Sequence, residues 1–206
     1  DIATLFGASW KVHYNSDRTG VRLIGPRPEW ARRDGGEAGL HPSNLHDNAY
    51  AIGAMDFTGD MPILLGPDGP SLGGFVCPAV IAQAEIWKMG QLRAGDMVRF
   101  RMLSNRQATG LERALDTVVA TLRGALPVPV DDVREAAVLH RGPSTVYRAA
   151  GDRYLLVETG PNELDLNLRF RIHALEQLLR NEGLRGIVDV TPGIRSLQIH
   201  YDSRVL

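Results

Sequence analysis

The stretch LDLNLRFRIHALEQLLRNEG, residues 164–183, decides the fold class of the second part of this chain. Leu164, Leu168, Ile172, Leu175 and Leu179 recur every three or four residues, the spacing that lines one face of an α-helix. Arg169, Arg171, His173, Glu176 and Arg180 fall on the other faces. Asn162, with Asp165 three residues on, reads as the N-terminal cap, and Gly183 as the stop. Strands flank this helix on both sides. TVYRAAGDRYLLVETG (145–160) alternates around an Ala-Gly-Asp turn, and GIVDVTPGIRSLQIHYD (186–202) around Thr-Pro-Gly. Strand pair, helix, strand pair is an α+β arrangement.

Upstream, GALPVPVDDVREAAVLHRGPS (124–144) carries three prolines and mixed charge, and reads as a linker holding at most a short helix or strand. The division expected is 1–125, linker 126–142, and 143–206. The first part reads as β. WKVHYNSDRTGVRLIGP (10–26) alternates on both sides of a polar turn, the pattern of a hairpin. GPRPEWARRDGGEAGLHPSN (25–44) is loop by its prolines and glycines. AYAIGAMDF (49–57) and MPILLG (61–66) read as short strands, and PDGPSLGGFV (67–76) as a turn entering another. AEIWKMGQL (84–92) reads as one or two helical turns, and RAGDMVRFRML (93–103) as a turn and a strand. Short strands with frequent turns predict a barrel or sandwich. QATGLERALDTVVATLRGAL (107–126) then has helical spacing at Leu111, Leu115, Val118, Val119 and Leu122.

The totals exclude several classes. The chain has 206 residues, of which 44% are hydrophobic and 23% charged, the balance of a globular protein. A formal net charge of -1 gives no electrostatic case for nucleic acid or an anionic membrane. No apolar run is long enough to span a bilayer, and no secretory signal opens the sequence. One cysteine, Cys77, cannot close an internal disulfide, which fits a reducing, cytoplasmic compartment. The six histidines show no metal-ligand spacing; His41, His46 and Asp47 are too sparse for a zinc signature, so no metal is expected.

Several stretches share one resemblance. YNSDRTGVRLIGP (14–26), HPSN (41–44), FTGDMPILLGPDGPSLGGFVCP (57–78) and WKMGQLRAGDMVRF (87–100) together resemble the carboxyltransferase region of biotin-dependent urea carboxylases. That region occurs also in urea amidolyases and in guanidine carboxylases. Residues 1 to about 125 look like the last part of its KipA-like half (allophanate hydrolase subunit 2). YRAAGDRYLLVETG (147–160), LDLNLRFRIHALEQLL (164–179) and VDVTPGIRSLQIHYD (188–202) look like the start of its KipI-like half (allophanate hydrolase subunit 1). The resemblance implies a cyclophilin-like β-barrel portion followed by a small α+β domain. It implies that this chain is a fragment, inactive alone. It further implies biotin on a carrier domain, and a biotin carboxylase domain that uses ATP and Mg, both in the same polypeptide. Rival readings are a KipI/KipA-type regulatory module and a 5-oxoprolinase subunit pair.

The implied reaction moves a carboxyl group from carboxybiotin to a nitrogen of urea or guanidine. It needs a group to orient a planar substrate, a proton acceptor, and positive charge near the ureido oxygen. In AMDFTGDMP (54–62), Asp56 is the first candidate, because a carboxylate can accept two parallel N–H bonds from an N–C–N group. Neutral urea presents a C=O as well, which suits an amide better, so an acid at 56 favours guanidine. Asp60 is a turn acid with a second catalytic reading, since two neighbouring acids raise one another's pKa. In HPSN, His41 is a candidate proton shuttle and Asn44 a substrate ligand; the plainer reading is a Pro-Ser turn. Arg18 and Arg22 are candidates for carboxybiotin, against the commoner solvated hairpin face. Gly73 and Gly74 are candidates for close backbone approach to biotin, against a bulge or turn. Lys88 reads as a surface lysine, Cys77 as a small apolar residue. Arg195, His200 and Asp202 read as structural residues on a strand.

Overall fold

The computed structural model describes residues 2–33, 35, 40–126, 128 and 137–206. In the first part, helix α1 (Ile2–Gly7) precedes strands β1 (Trp10–Val12), β2 (Gly20–Ile24), β3 (Asn44–Ala49), β4 (Met55–Thr58), β5 (Met61–Leu65) and β6 (Leu72–Phe75). A 3₁₀ turn at Gln83–Glu85 leads into α2 (Ile86–Met89), then β7 (Met97–Val98) and α3 (Asn105–Thr121). In the second part, β8 (Val138–Arg141), β9 (Thr145–Ala149) and β10 (Tyr154–Thr159) precede α4 (Leu166–Glu182), β11 (Ile187–Pro192) and β12 (Ser196–Tyr201).

The expected hairpin of residues 10–26 forms, and the short strands expected on either side of Thr58-Gly59 pair as a second one. β1 pairs β2 antiparallel with Lys11 opposite Ile24, and β4 pairs β5 with Asp56 opposite Ile63. One five-stranded sheet results, in the order β4-β5-β2-β1-β7, beside a two-stranded ribbon of β3 and β6. Its edge strands β4 and β7 do not pair with each other, so among the described residues the sheet does not close into a barrel. β4 carries Met55 and Phe57 into a cluster with Trp10, Val12, Leu23 and Leu64. Alternation sends Asp56 to the opposite face, the face of its partner Ile63.

Three local expectations are corrected. AYAIG is not a strand; Ala49 ends β3, and Ile52–Gly53 is a turn in which Gly53 has φ +84°. β3 instead begins at Asn44, at the end of the stretch read as loop; its unpatterned NLHDNA sequence hid it. RAGDMVRFRML keeps only Met97–Val98 as strand. Residues 127 and 129–136 of the expected linker, and 34 and 36–39 of the long loop, lie outside the described residues. β8 falls within the linker stretch and joins the second sheet.

That second sheet runs β11-β12-β10-β9-β8, all antiparallel, with α4 packed on one face. Ile172 and Leu197 are both 0% exposed and form its core with Val190. The cap of α4 is Asp165, whose side chain accepts the Asn167 N–H at 2.7 Å; Asn162 instead accepts from Arg195 Nε at 2.8 Å. Asp165 wins because it stands directly before the first helical residue, where the N2 amide is in reach. Gly183 closes the helix in the left-handed conformation at φ +57°.

The two parts share a core. Tyr154 of β10 packs with Tyr50, Ala51, Ala54, Ile63 and Leu65. β12 lies against β3, where Ser196 Oγ bonds Asn48 Oδ1 at 3.0 Å and Gln198 Nε2 donates to the Ala49 carbonyl at 3.4 Å. Buried Asp152 receives the Gln83 N–H on both oxygens, at 3.1 and 3.2 Å.

Candidate functional site

The β4–β5 hairpin gathers the chemistry. Asp56 is 5% exposed and faces the apolar cluster that includes Tyr50, Ile63 and Cys77. Thr58 hydrogen-bonds its carboxylate, but Oδ1 has no hydrogen-bond partner among the described residues. Burial raises the carboxyl pKa to about 6, partly offset by Thr58. Desolvation penalises the charged form, and an unfilled acceptor in an apolar wall is costly unless something supplies an N–H. The expectation that a second acid raises this group is replaced by burial as the cause. The same surroundings push the Tyr50 phenol and the Cys77 thiol well above their usual ranges, burial first and the Asp56 charge second.

Asp60 lies at the hairpin tip, in different company. Trp30 Nε1 donates to its Oδ1 at 2.9 Å, and Arg27 Nε lies 2.6 Å from Oδ2. His41 Nε2 is 3.5 Å from Oδ1. The structure therefore joins two predicted residues, His41 and Asp60. The ring of Trp30 stands edge-on to both His41 and Phe57, with centroids 5.6 and 5.7 Å away. His41 Nδ1 receives the Ser43 N–H at 3.2 Å and lies 2.9 Å from Ser43 Oγ, with Ser43 fully buried. Asp56 and Asp60 thus sit in separate environments, one apolar and one made of paired polar groups.

The other predicted residues are spread around this hairpin. Asn44 and Gly73 lie on the β3–β6 ribbon, opposite Phe75 and Asn48 respectively. A Cβ on Gly73 would lie 2.5 Å from the Tyr50 ring, and one on Gly74 2.8 Å from the Leu45 carbonyl. Protein occupies the Cβ side of both glycines, and the Tyr50 hydroxyl uses the close approach at Gly73 to accept the Phe75 N–H at 2.8 Å. Arg22 lines an open polar cleft of about 520 Å³ with His13, Asn15, Ser16, Asp17 and Met61. Its donors suit a polar ureido group. Arg18 is exposed and pairs with Asp68 at 3.3 Å. Lys88 pairs with Glu85 and lies 5.8 Å over the Trp87 ring. Arg195 bonds Glu158 at 2.7 Å and His200 stacks on Tyr154 at 4.4 Å, so both serve the second sheet. A cavity of about 780 Å³ lies between the parts, lined among others by Met55, Cys77, Val80, Phe100, Arg148 and Gln198.

Sequence reading missed Trp30, Arg27, Ser43 and Tyr50. One signal was available: a tryptophan within a Pro- and Arg-rich loop has no solvation reason to be there and needs a surface to cover. Among the described residues no group of three or more His, Cys, Asp or Glu could hold a metal ion. None of their helices is long and apolar enough to cross a membrane.

Comparison with known proteins agrees along the chain. Residues 1–102 match the family model described as carboxyltransferase domain, subdomain A and B; residues 145–206 match carboxyltransferase domain, subdomain C and D. The chain is 48% identical to a urea amidolyase of Lachancea kluyveri and 46% identical to that of Saccharomyces cerevisiae, in each case over 98% of its own length. It spans 12% of the length of each of these two relatives. The crystal structure of the Kluyveromyces lactis urea carboxylase matches all of this chain, and 19% of that one, with a TM-score of 0.92 at 46% identity.

Proposed function

This chain belongs to the carboxyltransferase-domain family, as a homologue of that domain of urea carboxylases and urea amidolyases, and from that premise we propose that it transfers a carboxyl group from carboxybiotin to a nitrogen of guanidine in preference to urea. The observation that carries the substrate reading is the buried Asp56 oxygen without a partner among the described residues. With a carboxyl pKa of about 6, the group is mostly ionised at pH 7.5. Guanidinium is a planar cation whose N–H groups fit a carboxylate side by side. Urea is neutral and brings no charge to offset the desolvated anion.

Biotin, when delivered, supplies the carboxyl group on its ureido nitrogen. Arg22, which lines the polar cleft, is the residue proposed to meet the ureido oxygen and stabilise the charge that grows there. Asp56 orients the substrate, and its near-neutral pKa suits a proton acceptor at the nitrogen that takes the carboxyl group. Asn44, which opens β3 opposite Phe75, is kept as a secondary substrate ligand. The domain division at 125 and 143 belongs to the same reading. So do the partners: biotin carrier and biotin carboxylase domains of one cytoplasmic polypeptide, the latter consuming ATP with Mg. The test is bicarbonate-dependent ATP turnover of the full-length enzyme on each substrate. A higher kcat/KM for guanidine is expected, and a clear preference for urea overturns the substrate reading.

A further inference from the structure

We propose that Trp30 is a positioning residue for the Asp56 carboxylate, acting through a block made with Asp60, His41 and Phe57. The proposal rests on the reading that Asp56 meets the substrate. It replaces the catalytic roles first considered for Asp60 and His41 with holding roles.

Both carboxylate oxygens of Asp60 are engaged, Oδ1 by Trp30 at 2.9 Å and His41 at 3.5 Å, and Oδ2 by Arg27 at 2.6 Å. A carboxylate in that setting is a hub, poorly placed to accept a proton from a substrate. His41 is engaged on both nitrogens too. Its Nδ1 accepts the Ser43 N–H, which assigns the ring proton to Nε2, facing Asp60.

Trp30 links this hub, at the hairpin tip, to Phe57 on β4. Its ring meets Phe57 at an interplanar angle of 90° and His41 at 88°, the edge-to-face geometry in which a positive ring edge meets a π-face. Phe57 follows Asp56 in β4, and adjacent strand residues point to opposite faces. Holding Phe57 on one face therefore sets the roll of β4 about its axis. That roll aims the Asp56 carboxylate on the other face. Misplacing a positioning group by about 1 Å is worth up to 10²-fold in rate, so a small rotation of this strand is kinetically visible.

The experiment uses the full-length enzyme with guanidine and urea. Trp30→Phe keeps an aromatic ring, though a smaller one, and removes the N–H; Asp60→Asn keeps an acceptor for Trp30 and removes the charge. Each is expected to lower kcat for guanidine by about tenfold with KM changed less than about twofold. The double variant should be no slower than the worse single one, because both act through one block. In an Asp56→Asn background, Trp30→Phe should change kcat by less than about twofold. Additive losses, an undiminished Trp30→Phe effect in that background, or a lower thermal midpoint with unchanged kcat would each overturn the proposal. Should Trp30→Phe not accumulate as folded enzyme, Asp60→Asn crossed with Asp56→Asn makes the same comparison. Wild-type enzyme that carboxylates neither substrate would sink the functional reading instead, and is told apart by needing no variant.

Discussion

Asp56 and Asp60 are four residues apart and alike in sequence, yet the fold gives them opposite settings. Asp60 has an indole, an imidazole and a guanidinium around it, whereas Asp56 has an apolar wall and one unfilled oxygen. The pH behaviour of Asp56 follows from its raised pKa of about 6, against 3.8 ordinarily. A carboxyl that holds its proton more tightly in the folded state stabilises the fold fully below its unfolded pKa. That contribution is lost as pH rises through the folded value. The difference of about two pKa units is worth on the order of 3 kcal/mol between the two ends of this window. Asp56→Asn, which stays neutral, should therefore unfold at a higher temperature than wild type at pH 8, and the gain should vanish by pH 4. A gain independent of pH across thermal scans would show that the carboxyl is not desolvated. The same variant in the full-length enzyme should move the guanidine-to-urea ratio of kcat/KM toward urea, and an unchanged ratio would remove Asp56 from the site. None of this asymmetry was legible in AMDFTGDMP, because strand alternation gives a residue's side but not what lies opposite that side.

At the scale of elements, periodicity was a good guide to existence and a poorer guide to burial. The apolar stripe of α4 was readable, and Ile172 ends fully buried against Val190 and Leu197. Ile172→Ala should cost about 2–5 kcal/mol in denaturant unfolding, by lost transfer energy and the cavity left behind. Asp165→Ala should cost about 1 kcal/mol by removing the cap. Asn162→Ala should leave the helix content seen by circular dichroism unchanged, since its partner is Arg195. The stripe of α3 was readable in the same way, but only Leu111 of its predicted positions is fully buried; Leu122 is 88% exposed. A helix of the right period shows which residues share a face. It does not show how far along that face a neighbour extends.

Across the whole molecule, α3 and the second sheet are tied by charge. Glu112, buried on α3, pairs with Arg153 and accepts from Ser203 Oγ at 3.0 Å; Arg204 reaches Asp116 on the same helix at 3.0 Å. Among the described residues, Glu112→Ala would leave Arg153 with Asp202 as its one carboxylate partner, at 3.6 Å, inside a nearly closed setting. A cost of about 3 kcal/mol is expected from the uncompensated buried charge. Since Tyr154 and Asp152 knit the second part into the first, unfolding should remain one cooperative transition in wild type, followed by fluorescence and far-ultraviolet dichroism together. Two separate transitions would show that the shared core does not couple the parts.

By itself the sequence determined the local elements: hairpins around polar turns, the two long helices, the α+β order of the second part, and a run of motifs dense enough to carry a family resemblance. These depend on nearest neighbours and on periods of two and 3.6 residues, which a linear string records. Only the tertiary structure decided that the sheet running from β4 to β7 stays open among the described residues, that β3 follows the loop, that Asp56 is buried while Asp60 is paired, and that Trp30 reaches the hairpin tip. The physical reason is common to all four. Burial and partnership are properties of residues far apart in the chain, such as Trp30 and Asp60, and desolvation energy exists only once those residues have been brought together.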